Sequence, residues 1–95
     1  YLGVRGQEVS TAMEENGMPA GVYVADCIQN GPAYNAGIQN GDVIVKIGEK
    51  NILSMKDYEN QLEALRQGDT VTVTVQRKSV NEYKELEYQV NVGAR

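Results

Sequence analysis

The sequence predicts an α+β fold, mainly β: a small, mostly antiparallel, partly open five-stranded sheet or barrel capped by two helices. Three observations predict it. Val71, Val73 and Val75 alternate with Thr72, Thr74 and Gln76, and Leu86, Tyr88, Val90 and Val92 alternate with Glu87, Gln89 and Asn91. A period of two marks strands with one solvated face, and the polar stretch 78–82 between them makes an antiparallel hairpin. One longer segment instead has apolar residues at 55, 58, 62 and 65, the spacing of a single helical face. The connections are too short, and the strands too alternating, for a doubly wound parallel sheet.

The elements follow in order. Residues 1–9 read as extended. Thr11 and Glu14 have capping-box spacing, so a helix is expected to start with Thr11 as its cap, and Gly17 and Pro19 end it early. Gly21 opens a strand over 22–28, whose mostly apolar content predicts burial on both faces. Asn30-Gly31-Pro32 is a turn. Pro32 suits the first position of a helix, so 33–36 is one short helical turn stopped by Gly37. Asn40-Gly41-Asp42 leads into a strand over 43–47, and residues 48–51 form a polar turn before Ile52 and Leu53. A second capping box, Ser54 with Asp57, opens the helix that runs from residue 55 to about residue 66, with Gly68 as its stop.

Composition excludes several functions. The chain has 95 residues, enough for one domain but not two, and no run approaches the length of a membrane-spanning helix. Net charge is −4, with the nine Lys and Arg scattered, so no basic footprint for nucleic acid is present. The chain contains no histidine, which rules out a Ser-His-Asp or Cys-His site and any zinc site with histidine ligands within these residues. No catalytic residue, metal site or cofactor is expected; chemistry by carboxylates alone stays open in principle, since it needs paired acids that converge in a cleft and sequence spacing does not show that. The single Cys27 sits in an apolar run without a basic neighbour and reads as a small buried hydrophobe. Asp42 reads as a turn organiser that accepts hydrogen bonds from backbone N–H groups.

Several short motifs stand in a telling order: Tyr1-Leu2-Gly3-Val4, Gly21-Val22-Tyr23-Val24, Gly31-Pro32-Ala33, Ala36-Gly37-Ile38, Gly41-Asp42-Val43-Ile44, Gly48, and Gly68-Asp69-Thr70-Val71. Each alone is weak; in this order they resemble the PDZ domains of bacterial HtrA/Deg-type, trypsin-like serine proteases, over essentially the whole chain. Gly31 departs from many relatives, which have Ser there. The resemblance implies a PDZ-like fold in the permuted, bacterial strand order, in which the last strand fills a sheet position that animal relatives fill from their N-terminus. It also implies that Tyr1, Leu2, Gly3 and Val4 form a loop that binds a peptide carboxylate.

Physical reasoning agrees. A chain terminus offers a carboxylate and an extended backbone, so its receptor needs converging backbone N–H groups and a free strand edge. Gly3 permits close approach, residues 4–8 are the expected edge, and Gly6 keeps the surface of that edge open. Leu2 and Val4 point to one side of a strand and form one wall of a pocket. The opposite wall must come from the later helix, and the resemblance implies that it includes Leu62, with Met55 and Glu59 near it and Tyr58 at the border. A rotated helix would present Asp57, Gln61 and Ala64 instead. Leu2, Val4, Tyr58 and Leu62 equally suit a core, and Arg5 serves either the carboxylate or solvent.

The expected role is a single PDZ domain, 1–95, from a larger protein. It recognises hydrophobic C-termini of unfolded or cleaved proteins by strand addition and carboxylate capture, and acts with a protease domain of its parent. The resemblance implies an extracytoplasmic setting, with a membrane-anchored or secreted parent, and no membrane insertion by the domain itself. Two other readings stay open. One is a substrate filter or scaffold in another protease or secretion protein, such as a site-2-type metalloprotease or a tail-specific protease. The other is a structural module whose groove is plugged by its own flanking chain.

Overall fold

The computed structural model describes residues 2–93. The strands are β1 (Val4–Glu8), β2 (Val22–Cys27), β3 (Val43–Ile47), β4 (Lys50–Asn51), β5 (Thr70–Lys78) and β6 (Tyr83–Asn91). The helices are α1 (Thr11–Glu15), α2 (Pro32–Ala36) and α3 (Met55–Ala64). The sheet runs β1-β2-β3-β5-β6 with every pair antiparallel, and the two-residue β4 folds back on β3. This is the open, mainly β arrangement expected, with β1 at one edge and β6 at the other.

Patterning explains most of the core. Val73, Val75 and Val90 point inward and are fully buried, against Val22, Val24, Ile44, Ile47 and Ile52 from the middle of the sheet. Tyr58 of α3 closes the core from above, while Leu62 and Leu65 pack against it half-buried. The alternation of β5 is less clean than its sequence, because β5 is a central strand between β3 and β6: Thr74, on its polar face, is also buried.

Several local expectations need correction. Ser10, not Thr11, caps α1: its backbone is extended and its Oγ accepts from the Met13 N–H at 3.2 Å, so Thr11 is already helical. The strand at 22–28 is not buried on both faces. Val22 and Val24 are buried, but Ala25 and Asp26 are exposed and Ile28 is 41% exposed. The reason is that β2 pairs with β3 only at Val22 and Tyr23; beyond them its neighbour is the Asn40-Gly41 turn, whose Asn40 Oδ1 accepts the Cys27 N–H at 3.0 Å. Cys27 is consequently half-buried rather than buried. The Ser54 cap of α3 is as expected, with Oγ accepting from Asp57 N–H at 3.2 Å, but the Asp57 carboxylate accepts from Leu53 N–H and α3 stops at Ala64.

Asp42 does organise its turn, accepting the Gln39 N–H at 2.9 Å, and it also has a partner that the sequence did not reveal. Arg77 Nε and Nη2 donate to its two oxygens at 2.8 Å each, and Nη2 also reaches Gly37 O at 3.2 Å. Asp42 is 1% exposed, and the Arg77 guanidinium lies 5.7 Å from the centre of the Tyr88 ring. The hydrogen bonds to Asp42 hold the Arg77 guanidinium above its ordinary pKa range. This pair ties the α2–β3 turn to β5 and β6.

Candidate functional site

The N-terminal loop is held by its carbonyls. Leu2 O accepts from Ala33 N–H of α2 at 2.9 Å, and Gly3 O accepts from Ile28 N–H at 2.8 Å. Its amides are left over: among the described residues, neither the Leu2 nor the Gly3 N–H donates to any acceptor. Gly3 has φ of 73°, a conformation that disfavours any residue with a Cβ. The loop is thus fixed from behind, with the Gly3 amide available at a place where a buried donor needs a partner.

Next to this loop, β1 pairs with β2 on one side only, so its other edge is open. A register shift between Arg5 and Gly6 bends the strand there. Facing that edge, α3 completes a concavity whose lining includes Leu2, Gly3, Val4, Tyr58, Glu59 and Leu62. Six of the ten residues expected at the site therefore meet in one place. Glu63 and Gly93 line it too. Glu63 was legible, since it lies four residues after Glu59 on the same helical face. Gly93 follows β6 and carried no sequence signal.

Of the other expected residues, Arg5, Gly6 and Met55 do not line the concavity. Tyr1 is outside the described residues. Arg5 is exposed and faces a neighbouring concavity with Asp26, Ile28, Tyr34 and Gln39, because successive side chains of a strand point to opposite faces. Gly6 is on the open edge, but its missing side chain has a different cause from the one expected: a Cβ there would run into Val22 Cγ1 in the core. Met55 packs against the core and does not line the concavity. Of the rotated wall, Asp57, Gln61 and Ala64 do not line it either.

Chemically the site is a pocket of mixed polarity, in which Leu2, Val4, Tyr58 and Leu62 supply the apolar side chains, with an open amide at one end and two carboxylates, Glu59 and Glu63, on its helical wall. Leu2 is 1% and Tyr58 4% exposed, so both floor the pocket as core residues, while Leu62 is half-buried and serves both roles. Burial pushes the Tyr58 hydroxyl up to about 12, with nearby Cys27 adding to the effect, so it stays protonated. Burial, together with Asp42 and Asp26, pushes the Cys27 thiol up as well, and its Sγ lies 3.4 Å from Ile38 O. Such a thiol is a poor nucleophile at neutral pH. Among the described residues no group of three or more His, Cys, Asp or Glu is arranged to hold a metal ion, and no helix is long and apolar enough to cross a membrane.

This fold and site define a PDZ domain: the family model of that description matches residues 1–92, and the chain belongs to the PDZ family. Within it, the chain is similar to the serine endoprotease DegS of Salmonella typhimurium, 33% identical over 96 residues covering 97% of the chain and 26% of the relative. It is also similar to the DegS of Escherichia coli K12, 30% identical over 97% of the chain and 26% of the relative. The chain thus spans about a quarter of the length of these curated relatives. Among solved structures, the HtrA-type protease AlgW with a decapeptide superposes with a TM-score of 0.86 at 28% identity, over 100% of this chain and 29% of that one. The HtrA3 PDZ domain bound to a phage-derived ligand shares the fold, with a TM-score of 0.74 at 22% identity over 96% of this chain and 82% of that one.

Proposed function

We propose that this chain is the peptide-recognition module of an HtrA-like serine protease and that it captures the C-terminal carboxylate of a partner chain. The observation that carries the reading is the Gly3 amide, left without an acceptor among the described residues, beside the open edge of β1 and the pocket lined by Leu2, Tyr58 and Leu62. An extended peptide adds to β1 as a further strand, its carboxylate accepts from the loop amides, and its last side chain enters the pocket. The similarity to AlgW, solved with a decapeptide, supports this.

Burying one aliphatic side chain contributes roughly 1.5–3 kcal/mol, whereas micromolar binding needs about 8 kcal/mol. Strand pairing and the carboxylate therefore supply most of the affinity. In the parent, the module would select exposed hydrophobic C-termini of unfolded or cleaved proteins and pass them to a protease domain. Relatives named as periplasmic endoproteases from Pseudomonas support an extracytoplasmic setting.

Calorimetry with hydrophobic-ended peptides, as free acids and as C-terminal amides, tests the reading. The acids are expected to bind at least tenfold tighter. Equal affinity of the two forms would refute carboxylate capture.

A further inference from the structure

The sheet has a second open edge. β6 pairs with β5 alone, in a register that is unbroken from Tyr83 to Asn91. The ladder fixes which backbone groups are free. Just beyond β6, Val92 turns both of its groups toward β5: its N–H donates to Asp69 O at 2.7 Å, and its carbonyl accepts from Gly68 N–H at 2.8 Å. Backbone groups alternate sides along an antiparallel strand, so Asn91, Gln89, Glu87 and Glu85 turn theirs outward. Among the described residues, no backbone group of β6 makes a hydrogen bond outside the ladder to β5. Edge strands that avoid pairing carry a proline, a bulge or an inward-pointing charge. From Glu85 to Asn91 β6 has none of these: Leu86, Tyr88 and Val90 pack on the core, and the two charges, Glu85 and Glu87, are exposed.

A groove lies beside this edge. α2 stands against β6, with Gly37 so near the Tyr88 ring that a Cβ would lie 3.1 Å from Cε1. Alongside is a concavity with Gln89 and Asn91 on one side and Ile28, Pro32, Asn35 and Ala36 on the other, lined by uncharged residues throughout. An extended peptide there gains ladder bonds from β6 and sets alternate side chains against Ile28, Pro32 and Ala36.

Further along, the edge changes character. Glu87 and Glu85 stand opposite Thr74 and Gln76 of β5 and, among the described residues, form no ion pair. A residue of an added strand directly opposite each of them is about 5 Å away between Cβ atoms, close enough for opposite charges to attract and like charges to repel. A second copy of β6, laid antiparallel in full overlap, would set Glu87 against Glu87. The edge therefore disfavours its own copy and favours a cation.

We propose that the edge of β6, with α2 as its wall, is a second strand-adding site. Its ligand is an internal, extended segment of a partner protein, uncharged beside α2 and carrying Lys or Arg at two alternate positions that face Glu87 and Glu85. The site uses neither the Gly3 amide nor a ligand carboxylate, so it stands independently of the reading above.

The probe is an eight-residue peptide with acetylated and amidated ends. Threonine and valine alternate in its first half, lysine and valine in its second, which suits antiparallel addition like that of every pair in the sheet. Titration followed by nitrogen-15 NMR is expected to move the amides of Gln89, Asn91, Asn35 and Ala36 and to leave Gly3 and Leu62 in place. A control with Glu for both lysines is expected to bind about tenfold more weakly, since each partly screened pair is worth about two- to fivefold. The double variant Glu85→Lys, Glu87→Lys should reverse that order. Gln89→Pro removes an outward N–H that the ladder does not use, a change an edge strand tolerates, and is expected to weaken binding at least tenfold. Shifts along β1 and at Gly3 instead, unchanged binding by Gln89→Pro, equal affinity for the Lys and Glu peptides, or no binding at millimolar peptide would each overturn the proposal. Should Gln89→Pro fail to fold, the charge-reversed variant decides, and an unreversed preference overturns it. Shifts at β6 that follow protein concentration alone, with a dimer in sedimentation, would give the edge to a second copy and overturn it too.

Discussion

Replacing Arg77 by alanine strands a buried charge. Asp42, at 1% exposure, accepts three hydrogen bonds, two from Arg77 at 2.8 Å and one from Gln39 N–H at 2.9 Å, so the variant leaves it with one. Removing one partner of a buried pair costs about 3–5 kcal/mol, because the remaining charge is neither solvated nor paired. The Arg77 side chain is 29% exposed, so water can enter beside Asp42 once it is gone, and the lower end of that range applies, about 3 kcal/mol. For a domain of this size each kcal/mol moves the melting temperature by about 4–8 °C, which gives a fall of about 12–24 °C. Urea denaturation followed by far-ultraviolet circular dichroism measures the loss directly, with an unchanged m-value confirming a common unfolded state. Arg77→Lys is expected to recover only part of it, since an ammonium cannot make the two-point contact. The pair Asp42→Asn with Arg77→Met, which removes both charges, is expected to be more stable than Arg77→Ala alone. A loss below about 0.5 kcal/mol in Arg77→Ala, the size of a surface pair, would refute the reasoning. The consequence reaches the groove, because Arg77 also holds Gly37 O at the end of α2, and α2 supplies the Ala33 N–H that anchors Leu2.

Three further outcomes are expected. The Tyr58 hydroxyl titrates at about 12 when folded and near 10 when unfolded, so its contribution is complete below pH 10 and is lost as pH rises from 10 towards 12, by about 2–3 kcal/mol in all; denaturant titrations across that window should fall more steeply for the wild type than for Tyr58→Phe, and parallel curves would contradict the assignment. Gly6→Ala drives a Cβ into Val22, which is fully buried, and should cost about 1–3 kcal/mol, with Val22→Ala relieving part of the loss in the double variant; strict additivity would argue against the contact. With peptides carrying Lys or Glu at the position two before the terminus, the wild type should prefer Lys and Glu59→Lys should prefer Glu, each by about two- to fivefold, the effect of a partly screened surface pair; indifference in both proteins would place Glu59 away from the bound chain.

The strands were legible where one face meets water. Val71, Val73 and Val75 in β5 and Leu86 to Val92 around β6 announce themselves by alternation, and Pro32 and Gly37 bracket α2 as local stereochemistry requires. The loop at Leu2-Gly3-Val4 and the helical wall of Glu59 and Leu62 were legible as a motif and a periodicity. Features that depend on distant partners were not. Asp42 looked like a turn residue because nothing near it in sequence points to Arg77, which lies 35 positions away. Gly6 looked like an open surface because its reason, the Val22 side chain, lies across the sheet. Arg5 suits either a carboxylate or solvent on sequence alone, because adjacency in sequence hides the alternation that turns its side chain to a neighbouring concavity. Nothing local marks Glu8, whose carboxylate accepts the Met55 N–H only because the fold brings the two together.

Carboxylate capture depends on the Gly3 amide, and nitrogen-15 NMR can follow it. Titrating the domain with a hydrophobic-ended free-acid peptide is expected to shift the Gly3 amide proton strongly downfield, as it gains a charged acceptor, with changes also along β1 and at Leu62; the amidated peptide should leave Gly3 nearly unmoved at matched concentration. If the acid instead perturbs the surface around Arg5 and Tyr34 and leaves Gly3 in place, or if acid and amide move Gly3 equally, the carboxylate is not held where this account puts it.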